Sequence, residues 1–93
     1  MLNNVLIIGL GMMGGSLCKA IKNNKISKKI YAFDNNKLSI KYALENNLID
    51  YEVTDFKMIQ HQDLIILCTP LSSYTTIINK LITTINKKTL LTD

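Results

Sequence analysis

Ninety-three residues with 47% hydrophobic and 19% charged content suffice for one small globular domain, with no room expected for a second. The eleven basic residues are all lysine and lie scattered without aromatic interleaving, so the net charge of +4 reads as a solvated surface and excludes a nucleic-acid face. The longest apolar stretch falls short of the about 20 residues that span a bilayer and lacks the flanks of a signal peptide, so no membrane association and a cytoplasmic location are expected.

In chain order, the apolar and β-branched run Val5 to Ile8 predicts a strand over residues 4–8, and helical periodicity predicts a helix over residues 12–23. All four glycines of the chain, Gly9, Gly11, Gly14 and Gly15, stand at the turn between them and in the first turn of that helix, in VLIIGLGMMGGSL. Gly-x-Gly-x-x-Gly at a strand-to-helix turn is the pattern of a dinucleotide loop. Its first glycine bends the chain, its second lets the backbone approach a pyrophosphate, and its third lets helix and strand pack closely. The backbone N–H groups of Met12 and Met13 and the positive end of the helix then meet the anion.

Lys29-Ile-Tyr-Ala-Phe-Asp34 reads as a second buried strand over residues 30–34, ending in an acid at the spacing from which a carboxylate reaches a ribose diol. Asp34 would repel an adenosine 2′-phosphate, and the chain has no arginine to hold one. NAD is therefore expected over NADP. Lys37, the nearby cation, opposes that preference because a lysine can contact a phosphate as a point charge.

A helix over residues 36–46, a short strand over 51–53, a strand over 64–68, a helix over 72–85 and a strand over 89–92 complete the alternation. This predicts an α/β fold: a Rossmann-type doubly wound parallel sheet, incomplete at about five strands, in the order 3-2-1-4-5. The cofactor is expected over the carboxyl ends of strands one and four. Thr69 and Pro70 leave strand four there. Thr69 offers a hydroxyl to a ribose or nicotinamide amide and Pro70 stiffens the loop, though the same CTPL segment also reads as a plain turn capped by Ser72 or Ser73. His61 precedes strand four at the opposite end and is expected in an exposed loop, outside catalysis. Tyr31, Phe33, Tyr42 and Phe56 read as core or half-core residues, and Cys18 and Cys68 as reduced, small apolar ones without metal or disulfide spacing.

Taken together, GLGMMGGSLCKAIK, IYAFDNNKLSIKYALENNLID and DLIILCTPLSSY resemble the N-terminal domain of prephenate dehydrogenases over nearly the whole chain. The most specific segments are Gly14 to Leu17, residues 43–50 and Thr69-Pro70. Asn47 departs from the glycine common in the family, and asparagine also tolerates the left-handed conformation that ends a helix. The resemblance implies NAD-dependent oxidation and decarboxylation of prephenate, or of its amino analogue arogenate, by a longer enzyme that works as a homodimer. It also implies catalytic and substrate-binding groups downstream of this stretch, so that no catalytic residue and no metal ligand is assigned among the 93 residues. Two other classes stay open: another NAD-linked oxidoreductase of the 3-hydroxyacid or proline-reductase type, and a non-enzymatic module that senses NAD.

Overall fold

The computed structural model describes residues 1–68 and 90–92. Its elements are β1 (Leu2–Ile8), α1 (Gly11–Asn23), β2 (Ser27–Phe33), α2 (Lys37–Glu45), β3 (Tyr51–Glu52), a 3₁₀ helix (Phe56–His61), β4 (Leu64–Leu67) and β5 (Leu90–Thr92). The strands form one parallel sheet in the order β3-β2-β1-β4-β5, as the alternating pattern predicts.

β1 sits at the middle of this order because it is apolar on both faces, the signature of a strand covered on both sides. Its alternate residues divide the core. Val5 and Ile7 meet Cys18 and Ile21 of α1 and Ile40 and Ala43 of α2, while Leu6 and Ile8 meet Val53, Ile59 of the 3₁₀ helix, Ile65 and Leu67. Val5, Leu6 and Ile7 are fully buried. Each such side chain contributes about 1.5–3 kcal/mol of burial, which makes the strand that carries the glycine loop the best-anchored part of the described fold.

The elements differ from expectation mainly at their ends. β1 and β2 both begin earlier than their apolar runs, since Leu2 pairs with Ser27 and its N–H donates to Ile26 O at 2.8 Å. Asp34 lies one residue beyond β2 rather than within it. The 3₁₀ helix was not expected; it starts where the Asp55 side chain accepts from Lys57 N at 2.9 Å. Tyr31 and Phe33 are half-buried as expected, but Tyr42 is 62% exposed, because α2 turns Ile40 and Ala43 inward and leaves position 42 on its outer face. The side chain of Phe56, the expected helix over 72–85 and Thr89 lie outside the described residues.

Both helices end in the same manner, without glycine. After α1, Lys25 takes φ 52° and Ile26 N donates to Ile21 O at 3.0 Å; after α2, Asn47 takes φ 58° and Leu48 N donates to Ala43 O at 2.8 Å. This pairing across a left-handed residue is the Schellman arrangement, which glycine usually serves.

Candidate functional site

Strand register brings three strand ends level. Ile8 pairs with Phe33 on one side and Leu67 on the other, so Gly9, Asp34 and Cys68 all emerge at the same edge of the sheet. Gly9 N donates to Phe33 O and Cys68 N to Ile8 O, at 2.8 and 2.9 Å, carrying the ladder to that edge. Because β1 has β2 on one side and β4 on the other, this edge is the point where the winding reverses and a crevice opens.

The glycine loop is built as its sequence requires. Gly9 has φ 87°, a conformation that side chains rarely adopt. Gly14 packs so closely against the end of β1 that a Cβ there would stand 2.6 Å from Gly9 O. Gly15 is different: a Cβ there would meet nothing within 4 Å. Gly11 opens α1, with Met12 and Met13 in its first turn, and no side chain caps this end and no acid stands in its first turn. The first N–H groups of a helix have no intrahelical acceptor, so this end attracts an anion.

Asp34 is tied to the loop. Its Oδ2 accepts from Leu10 N and its Oδ1 from Asn36 N, each at 2.8 Å. Asn36 in turn caps α2 through Oδ1, which accepts from Leu38 N at 2.9 Å. A carboxylate oxygen has room for more than one donor, so both oxygens can still accept from hydroxyls. The sequence shows the acid at the right spacing but not this second task of joining the loop to the end of β2.

Lys37 is committed elsewhere. Its Nζ pairs with Glu52 Oε2 at 2.6 Å, across to β3. Sequence reasoning missed Glu52, since its place beside Ala32 depends on a pairing of β2 with β3 that two strand residues do not announce. Next to Phe33, a small, open apolar hollow is lined by Leu6, Ile8, Phe33, Val53, Thr54, Asp55 and Ile59. Burial pushes the Cys68 thiol above its usual pKa, and Cys18, on the buried face of α1, is pushed up to about 11 by burial and by its neighbour Cys68. Both cysteines are free thiols.

His61 stands at the other end. Its carbonyl accepts from Asn4 Nδ2 at 2.9 Å, and Asp63 Oδ2 accepts from Asn3 N and Asn4 N. Asn4 and Ile8 stand four strand steps apart, about 13 Å at the usual rise. The structure thus gathers Gly9, Gly11, Met12, Met13, Gly14 and Asp34 and leaves His61 apart; Thr69 and Pro70 lie outside the described residues. No helix among the described residues is long and apolar enough to cross a membrane.

Comparison with known structures agrees with this geometry. The chain superposes on prephenate dehydrogenase from A. aeolicus, crystallised with hydroxyphenyl propionate and NAD+, with a TM-score of 0.86 and 32% identity, over 100% of this chain and 33% of that one. Arogenate dehydrogenase from Synechocystis matches with a TM-score of 0.81 and 24% identity, over 97% of this chain and 32% of that one. A scyllo-inositol dehydrogenase from Lactobacillus casei, with a TM-score of 0.71 and 18% identity over 98% of this chain and 27% of that one, shares the fold. The chain therefore spans about a third of the length of the A. aeolicus enzyme. A family model described as the nucleotide-binding domain of prephenate dehydrogenase matches residues 17–93, starting inside α1, and with the glycine loop and Asp34 in place the chain belongs to that family.

Proposed function

We propose that the chain binds NAD as the cofactor-binding part of a longer prephenate or arogenate dehydrogenase. The observation that carries this is the joint geometry at the level strand ends: an uncapped helix amino end after a positive-φ glycine, and a carboxylate fastened beside it. The pieces fit the cofactor's parts. The first turn of α1, from Gly11 to Gly14, would hold the pyrophosphate, Asp34 the adenosine ribose diol, and the apolar hollow beside Phe33 the flat adenine ring. Thr69 and Pro70 would line the path toward the nicotinamide.

Bound NAD would supply the hydride acceptor for oxidation of the substrate's ring hydroxyl, with loss of carbon dioxide giving 4-hydroxyphenylpyruvate from prephenate. On this reading, and as the family resemblance implies, the parent enzyme would serve tyrosine synthesis in the cytoplasm as a homodimer. The binding reading is tested by calorimetric titration of the purified chain with NAD+. Binding that is lost in Gly11→Val while the circular dichroism spectrum is kept is the expected result, because valine would stand where the pyrophosphate approaches. Unchanged binding in that variant would remove the loop assignment.

A further inference from the structure

Discrimination against a 2′-phosphate is usually assigned to the acid at the end of β2, yet the cation that could defeat that acid also stands here. Lys37 is the first residue of α2 and follows Asn36, whose N–H donates to Asp34. A lysine so near the ribose-binding carboxylate would serve an added phosphate well, because its long stem lets a point charge follow the anion. Its ammonium instead lies on Glu52, at 2.6 Å. Glu52 is held on β3 opposite Ala32 of β2, and its side chain is 25% exposed against 72% for that of Lys37. The better-fixed partner is therefore the acid, and the lysine is drawn toward it.

We infer that Glu52 is a specificity-determining residue for the dinucleotide, acting by holding Lys37 away from the position of a 2′-phosphate; this rests on the NAD-binding reading above. Two effects combine. Glu52 occupies the hydrogen-bonding head of Lys37, and in pairing with it Glu52 cancels the charge that Lys37 would otherwise bring beside Asp34. A phosphate with a charge of about −1.5 to −2 would then meet the Asp34 carboxylate without a free lysine to offset it. Asp34 then supplies the ribose contact, and Glu52 closes the route by which Lys37 could reward NADP.

The test is calorimetric titration of the chain and of Glu52→Gln, Lys37→Ala and the double variant with NAD+ and with NADP+. Glutamine keeps the shape of Glu52 and removes its charge. The NADP+ to NAD+ affinity ratio should rise about fivefold in Glu52→Gln, a gain of the size expected for one partly exposed charge contact, and should shrink as salt is added. The double variant should return to the wild-type ratio, since the gain needs the freed lysine. An unchanged ratio in Glu52→Gln, or a gain that survives in the double variant, overturns the inference while leaving NAD binding in place. A wild-type chain that binds neither dinucleotide removes the cofactor reading and this inference with it.

Discussion

The Asp34 carboxylate and the Leu10 N–H are joined at 2.8 Å, which ties the end of β2 to the middle of the glycine loop. The residue proposed to take the ribose diol therefore also sets the position of the loop proposed to take the pyrophosphate. A substitution at 34 should act on both.

Asp34→Ala should lose two backbone hydrogen bonds to a charged acceptor and destabilise the fold by about 1–3 kcal/mol, besides losing NAD binding. Asp34→Asn keeps an acceptor oxygen but can serve one donor well and brings no charge. It should cost less than half as much in a urea titration yet relax the preference for NAD over NADP. Equal stability of Asp34→Ala and wild type would show that the tether to Leu10 does not form in solution.

Neighbouring glycines should respond oppositely to alanine. At Gly14 a Cβ would stand 2.6 Å from a backbone oxygen, so Gly14→Ala must push α1 away from β1, at a cost of about 1–3 kcal/mol. At Gly15 the Cβ enters open space within a helix, and Gly15→Ala should stabilise by about 0.5–1 kcal/mol. Thermal melts of the two variants check the pair, and a shift of the same sign in both would contradict the packing described.

Lys25 holds a left-handed conformation, φ 52°, that costs a side-chain-bearing residue about 1 kcal/mol or more. Lys25→Gly should therefore raise the melting temperature, offset in part by the greater freedom of glycine in the unfolded chain. Asn47→Gly should gain less, because asparagine tolerates this region better. A lower melting temperature for Lys25→Gly would argue against the Schellman end of α1.

These contrasts also mark what the sequence could disclose. The strand order, the glycine loop and Asp34 were readable because each rests on local pattern: an apolar run, a glycine spacing, an acid at a fixed distance. Asn47 was readable for the same reason. The Lys37–Glu52 pair and the Asp34–Leu10 bond were not, since both depend on the side-by-side register of strands. Tyr42 was misread because an aromatic at helical spacing resembles a core residue, whereas the turn of α2 that faces the sheet is set by Ile40 and Ala43.

Stability should fall in alkaline solution through Cys18. Burial first, and the nearby Cys68 second, push its thiol up to about 11 from an ordinary value of 9.0, so the fold favours the neutral form. Below pH 9 the thiol is neutral in both folded and unfolded chains and the contribution is complete. Between pH 9 and about 11 the unfolded chain ionises while the folded one does not, and stability drops with rising pH. Urea midpoints across that range should fall more steeply for the wild type than for Cys18→Ala, and parallel slopes would show that Cys18 is not the group responsible. In the same proteins at pH 8, iodoacetamide should label Cys68 well before the buried Cys18.

Residues 1–93 by themselves should form no NADH from prephenate or arogenate, even with NAD bound. Hydride transfer needs the substrate held against the nicotinamide and a base near its hydroxyl. The one histidine, His61, lies at the amino end of β1, about 13 Å of strand away from the level edge where Gly9 and Asp34 meet. The chain has no arginine to clamp the substrate's two carboxylates, and lysine gives no equivalent planar fork. Absorbance at the NADH band should stay flat with either substrate while calorimetry shows NAD+ binding, and fusing the 93 residues to the remaining two thirds of a related dehydrogenase should restore turnover. Steady NADH production by the unfused chain would mean that a base and a substrate pocket exist within it.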